Sequence, residues 1–347
     1  MVNTVTNIVI LDDYQRVAMN SAEWDLIPGV NSGSVKISTL DTPLVYDAID
    51  PLVSDAHILV TMRERTWFSS SLLGQLPQLR MIAGTGRRQA NVDLDAATTR
   101  GILICTTDSG IASTIELTWG LILAIARRIP QHDKALRDNK WQAFEEIQRN
   151  TLNADPLLAG TELRGKTLGL LGVGRIGGGV ARLGSAFGMD VIAWTPNLTD
   201  KRAFELGISR VEREVLFRTA DIISLHVPLN ENTKGIVGFD EIAMMKPSSI
   251  LVNTSRGPIV DEKALINGLK EHHIWGAGID VFDQEPLPPD HQLLGFPNVV
   301  LTPHIGYVSA ENYSIMYQQC VENIVNFLAG EPSRVLNREV LNNDSLI

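Results

Sequence analysis

The segment TLGLLGVGRIGGGVARLGSAFG, residues 167–188, decides the fold. Its opening TLGLL, residues 167–171, reads as a buried strand, and Gly172, Gly174 and Gly177 follow at the strand's end and at the start of a helix. This is G-x-G-x-x-G in the setting that gives it meaning. The first glycine permits a tight turn, the second lets a pyrophosphate approach the backbone, and the third lets helix and strand pack closely over free N–H groups that bind anions. A bare match can also be a well-packed strand-helix turn; here strand, helix and the pattern beyond them agree on a dinucleotide site.

Reading outward from this turn, strands are predicted at residues 190–194, 221–225, 249–253, 275–282 and 298–302, which with 167–171 make the six of a complete dinucleotide fold. Toward the N-terminus, β-rich runs at 7–11, 35–39, 57–61, 79–83 and 101–105 alternate with helical segments, the rhythm of a second parallel sheet. A helix is predicted over 111–127, a polar helical stretch continues to about 148, and the irregular NADPLLAGTELRG, residues 153–165, separates the two sheets. A last helix, about 310–329, carries Ile315, Ile324, Val325 and Leu328 on one side. The fold class is therefore α/β, with two doubly wound parallel sheets.

The second strand of a dinucleotide fold normally ends in an acid that binds the ribose hydroxyls. That place is held by Thr195, followed by Pro196 and Asn197. Without a carboxylate to repel the extra phosphate of NADP, and with Asn197, Thr199, Lys201 and Arg202 as possible donors, the cofactor choice tilts from NAD toward NADP.

Bulk composition excludes several other functions. Thirty Lys and Arg against forty Asp and Glu give a net charge of -10, with no basic cluster of the kind a phosphate backbone requires. No apolar run approaches the roughly 18 residues that span a bilayer, since even WGLILAIARRIP is interrupted by Arg127 and Arg128. Cys105 and Cys320 lie in apolar surroundings, and the start MVNTVTNIVILDD has neither the basic residues nor the cleavage site of a signal peptide, so a cytoplasmic location is expected. No metal site is expected.

Three ionisable residues close successive strands of the second sheet. In LVNTSRGPIVDE, residues 251–262, Arg256 stands beside a Gly-Pro pair that continues neither strand nor helix; Glu285 and His304 follow the next two strands. Separately, each has an ordinary reading: a surface ion-pair partner, a turn acid, a structural histidine. In an open parallel sheet, however, the carboxyl ends of the strands face one crevice, and beside a dinucleotide turn the three form a coherent catalytic set.

Over nearly its whole length the sequence resembles the D-isomer-specific 2-hydroxyacid dehydrogenases. The motifs are LGLLGVGRIG (168–177), DIISLHVPLNENTKGIVG (221–238), MMKPSSILVNTSRGPIVDEKAL (244–265), GAGIDVFDQEPLP (276–288) and NVVLTPHIG (298–306). The resemblance implies NAD(P)-dependent reduction of a 2-oxo acid to a D-2-hydroxy acid. Arg256 would orient the substrate and polarise its carbonyl, His304 would donate the proton, and Glu285 would orient His304 and favour its charged form. It implies a discontinuous flavodoxin-like substrate domain, residues 1–109 and 311–347, with a Rossmann cofactor domain, residues 110–310, inserted in it, and a homodimer built by the 111–148 region. Cofactor contacts would come from Gly172, Gly174, Arg175, Ile176, Gly177, Thr195, Asn197, His226, Val227, Pro228, Thr233, Thr254, Ser255, Asp280 and Gly306, with Asp280 beside the nicotinamide carboxamide.

Backbone N–H groups in AGTGRRQANVD, residues 83–93, would hold the substrate carboxylate, which points to Thr85, Gly86 and Arg87. This loop and TTDSGIASTIE, residues 106–116, depart from the family pattern, which puts the usual substrates in doubt. Arg63, Arg65, Arg87 and Arg88 suit an acid with a second anionic or strongly polar group, or else form a solvated cationic rim. Two other functions share the motifs: a dinucleotide-sensing corepressor, and formate dehydrogenase, which pairs its histidine with glutamine where Glu285 stands.

Overall fold

The computed structural model describes residues 5–141 and 159–342. The chain divides into two compact units, with boundaries at Gly110/Ile111 and Tyr307/Val308.

The first unit holds five parallel strands, β1 (Thr6–Ile10), β2 (Val35–Thr39), β3 (Ile58–Thr61), β4 (Met81–Gly84) and β5 (Leu103–Cys105), in the order β2-β1-β3-β4-β5. They are short and nearly continuous in Val, Ile and Leu because both faces of a parallel sheet are covered. One face packs Val9, Leu59, Ile82 and Ile104 on Val53, Leu72, Leu73 and Ala97. The C-terminal helix Ala310–Leu328 belongs to this unit and buries Tyr313, Met316, Tyr317, Cys320 and Ile324, a stripe at helical spacing. This corrects the face read from sequence: Ile315 and Leu328 are 41 and 39 % exposed. The aromatic Tyr313 and Tyr317 take inward positions, and the buried Asn312 and Asn323 are hydrogen-bond anchors for Gly110 N–H and Thr106 O.

The second unit has β6 (Thr167–Leu171), β7 (Asp190–Trp194), β8 (Ser209–Arg210), β9 (Ile222–Leu225), β10 (Ile250–Asn253), β11 (Gly276–Ile279) and β12 (Val299–Leu301) in the order β12-β11-β10-β9-β6-β7-β8. All pairings are parallel. The order grows outward from β6 to β8, then crosses back to β9, so the crevice at a topological switch point opens between β6 and β9. Seven strands stand where six were read, because β8 is a two-residue edge strand too short to show periodicity. The faces alternate along each strand. Leu168, Leu170, Ile250 and Val252 pack on Leu121, Ile122 and Ile125 of the helix Ala112–Ala126 and on Val180 of the helix Arg175–Ala186. Leu171, Ile223 and Leu251 face Leu216, Ile242, Leu265 and Leu269. The helix Ile129–Arg137 follows a left-handed Arg128 (φ 52°); the remainder of the polar stretch predicted to about 148 lies outside the described residues.

No described helix is long and apolar enough to cross a membrane. Among the described residues, no group of three or more His, Cys, Asp or Glu could hold a metal ion.

Candidate active site

The glycine turn sits at the carboxyl end of β6. Gly172 has φ +99°, and a Cβ on it would lie 2.8 Å from the carbonyl of His226, so its backbone runs against the segment leaving β9. Gly177 leaves no room for a Cβ against Gly172 O, whereas Gly174, the N-cap of the helix Arg175–Ala186, has nothing within 4 Å. Each glycine therefore meets a different steric demand: turn, open approach, close packing. The first N–H groups of the helix, at Arg175, Ile176 and Gly177, have no intrahelical acceptor and suit an anion. This cradle fits a dinucleotide pyrophosphate.

Across the switch point, His226 Nε2 lies 2.9 Å from Ser224 Oγ, and burial pushes its imidazole down to about 4, so it is neutral at physiological pH. Val227 is buried; its carbonyl accepts from Ser255 Oγ at 2.6 Å, and Pro228 O accepts from Thr233 Oγ1 at 2.6 Å. Thr195 ends β7 half-buried, with Pro196 and Asn197 exposed beyond it. Arg202 pairs with Glu205 at 3.3 Å, and Arg210 with Asp200 and Glu212, whereas Lys201, six residues beyond Thr195, is exposed and in none of these pairs.

Arg256, Glu285 and His304 leave the adjacent strands β10, β11 and β12. Asn253, 1 % exposed, clamps the first turn: its amide donates to Arg256 O at 2.9 Å and its oxygen accepts from Ser255 N–H at 3.0 Å. Arg256 is extended, and Gly257 presses so closely on the Phe282–Asp283 backbone that a Cβ would overlap it. The Arg256 turn and the loop carrying Glu285 are thus in contact. Glu285 Oε1 accepts from Phe282 N–H at 2.9 Å, and Oε2 lies 2.6 Å from His304 Nδ1. Burial alone would raise the pKa of the Glu285 carboxyl, but the hydrogen bond and charge of His304, the Phe282 N–H and the charge of Arg256 outweigh it and hold the carboxyl below the usual range. Glu285 is therefore an anion throughout the working pH range. With Nδ1 engaged by that anion, Nε2 is the ring atom left for chemistry.

The depressed Glu285 sets the sign of a pH prediction. A carboxylate against Nδ1 favours the imidazolium, the form that the reduction expected from the sequence would require of His304 as proton donor. Glu285→Gln is expected to move the alkaline limb of the kcat/KM profile for reduction to lower pH. A superimposable profile would remove Glu285 from the mechanism.

Asp280 is fully buried and holds the His304 turn. Its Oδ1 accepts from Thr302 Oγ1 at 2.6 Å and Ile305 N–H at 2.8 Å, and its Oδ2 from Gly306 N–H at 2.9 Å. Burial pushes its carboxyl up, and these bonds and the charge of His304 only partly offset this. His304 itself has φ 54°, a left-handed conformation uncommon for a side chain of this size, with its N–H donating to Asp280 O at 2.8 Å.

Two threonines were missed from sequence. Thr118 Oγ1 lies 2.9 Å from Thr254 Oγ1 and donates to Thr114 O, while Thr114 Oγ1 donates to Gly306 O at 2.7 Å. One polar stripe on the helix Ala112–Ala126 thereby joins the Arg256 and His304 turns. Its signal was the i,i+4 spacing of two threonines in an apolar run.

In the first unit, Arg63 has φ 53°, its N–H donates to Thr85 Oγ1 at 2.7 Å, and its guanidinium lies over Gly86, where a Cβ would overlap it. Of the loop N–H groups expected to meet a carboxylate, two are engaged: Thr85 N–H donates to Thr61 O at 3.0 Å and Gly86 N–H to Thr107 Oγ1 at 2.8 Å. A backbone carbonyl of the neighbouring strand and the hydroxyl of Thr107 claimed them, which sequence spacing does not reveal. Arg87 pairs with Asp108 at 2.7 Å, and Arg88 is exposed, as in a solvated rim. Arg65 Nη1 donates to Asp12 O at 2.5 Å, and its guanidinium sits 4.4 Å from the Tyr14 ring centroid.

A family model described as D-isomer specific 2-hydroxyacid dehydrogenase, NAD binding domain, matches residues 119–306. A glyoxylate reductase of Aeropyrum pernix is 42 % identical over 301 residues, covering 86 % of this chain and 88 % of that protein. A D-3-phosphoglycerate dehydrogenase of Methanocaldococcus jannaschii is 37 % identical over 301 residues, 86 % of this chain and 54 % of that protein. The crystal structure of a phosphoglycerate oxidoreductase from Vibrio cholerae superposes with a TM-score of 0.84 at 32 % identity, covering 94 % of this chain and 100 % of that one.

Proposed function

The chain belongs to the D-isomer-specific 2-hydroxyacid dehydrogenase family, and from that premise we propose how its residues divide the NAD(P)-dependent reduction of a 2-oxo acid to a D-2-hydroxy acid. The nicotinamide cofactor, when bound, supplies the hydride. Arg256 holds the substrate with its planar fork of donors and polarises the carbonyl. His304 gives its Nε2 proton to the oxygen as it becomes an alkoxide, and Glu285 orients and charges the imidazole. The 2.6 Å Glu285–His304 contact beside the Arg256 turn carries this reading. It also speaks against formate oxidation, which moves no proton, and the reductase and dehydrogenase relatives give no support to a corepressor.

The relatives named glyoxylate reductase match most of their own length, while the D-3-phosphoglycerate dehydrogenases are matched over about half. We therefore place a small 2-oxo acid of the glyoxylate type first among substrates. The test is turnover of glyoxylate, pyruvate, hydroxypyruvate and 2-oxo dicarboxylic acids with NADH and with NADPH. Tight cofactor binding without turnover of any of them would defeat the proposal.

Tolerance of NADP is proposed from Thr195 and the exposed Lys201. Thr195→Asp is expected to weaken NADPH by about tenfold more than NADH, since a carboxylate within ~4 Å of the 2′-phosphate costs about 1 to 4 kcal/mol. Equal effects on both cofactors would show that residue 195 does not face the ribose.

A homodimer is proposed through the region that follows the helix Ala112–Ala126, where Ile129, Leu136 and Trp141 are 53, 58 and 78 % exposed. Sedimentation at micromolar concentration should give a dimer, and a monomer would refute it. Two buried free thiols, Cys105 and Cys320, suit the reducing cytoplasm proposed as its location.

A further inference from the structure

Within the loop AGTGRRQANVD, Gln89 does something the sequence does not announce. Gln89 is 3 % exposed, and its Nε2 donates to two carbonyls of its own loop, Thr85 O at 3.1 Å and Gly86 O at 3.3 Å. With two acceptors in front of it, the amide group must present its NH2 there. The amide lies on the backbone of Gly84, where a Cβ would overlap it, so Gly84 is the floor on which Gln89 rests.

Holding a carbonyl inward aims the other side of the same peptide outward. The peptide is planar, and in the trans form its N–H points opposite to its C=O; the cis bond of the described chain is Glu285–Pro286, not this one. Gly86 O, which also accepts from Thr107 N–H at 3.1 Å, belongs to the peptide whose N–H is that of Arg87. Unlike the N–H groups of Thr85 and Gly86, this one makes no hydrogen bond among the described residues.

We propose that Gln89 is a positioning residue that, resting on Gly84 and holding the Thr85 and Gly86 carbonyls, aims the Arg87 N–H at the carboxylate of the 2-oxo acid. The proposal rests on the reading that this loop receives the substrate carboxylate. Gln89 never touches substrate; it acts through the peptide it orients.

Gln89→Met keeps the volume and removes both donors. It is expected to raise KM for the oxo acid about tenfold, the order of one misdirected hydrogen bond to a charged group, while saturating kcat and cofactor dissociation constant change little. Gly84→Ala keeps the amide but displaces it, and should give the same selective rise. In a Gln89→Ala background, Gly84→Ala should add almost nothing, because its methyl group fills vacated space; contact-coupled sites are non-additive in this way. An unchanged KM in Gln89→Met, or a KM rise matched by equal weakening of cofactor binding, would overturn the proposal. If Gln89→Met does not melt cooperatively, the Gly84→Ala pair decides by the same criterion. Absence of turnover in the parent protein would instead overturn the underlying reading, so the two failures are distinguishable.

Discussion

Replacing His304 by asparagine or by glutamine is expected to lower kcat for reduction by about 10²- to 10⁴-fold, the usual contribution of a positioned acid-base. The loss should be the same at every cofactor concentration. His304 sits in a left-handed turn whose N–H groups are tied to Asp280, so the backbone is fixed by atoms other than the imidazole. Asparagine tolerates that backbone conformation better than most residues, which separates loss of the ring from loss of the turn. Neither amide can give up a proton near neutral pH, and the alkoxide would be left to water. The glycine turn lies on β6 and does not depend on the imidazole, so fluorescence titration should find cofactor affinity near that of the parent. A kcat within a few-fold of the parent in both variants would take His304 out of the chemistry.

Arg256→Lys is expected to lower kcat/KM for the oxo acid by about 10²-fold, seen as a higher KM and a lower kcat together. Hydrogen bonds to charged groups contribute roughly 1.5–3 kcal/mol each, and a lysine ammonium cannot span two oxygens as the planar fork does. Charge is retained, so the loss reports geometry. The Asn253 clamp and the contact between Gly257 and the Phe282–Asp283 backbone hold the turn without help from the guanidinium, and the fold should survive the change. Steady-state kinetics with varied oxo acid test this, with melting temperature as the control. An unchanged KM would mean that Arg256 does not bind the substrate, and a fall in cofactor affinity alone would move it to the cofactor side.

The two parallel sheets, the glycine turn and the places of Arg256, Glu285 and His304 were legible in the sequence because each rests on a local pattern. An apolar run of five, glycines at fixed spacing and an ionisable residue just beyond a strand are properties of a few consecutive residues, and open parallel sheets carry their ligands at one edge. Tertiary structure alone decided which polar atoms remained available. Thr107 reaches Gly86 N–H from 21 residues away, Asp280 binds the turn of His304 across 25 and 26, and the Thr118–Thr254 pair spans 136. The buried face of the last helix followed the same rule, since Tyr313 and Tyr317 displaced Ile315 from it through packing that its own sequence does not record. A buried donor or acceptor must be satisfied by whatever the fold brings beside it. Periodicity names the strand a residue ends, but only the packed chain determines the partner it meets there.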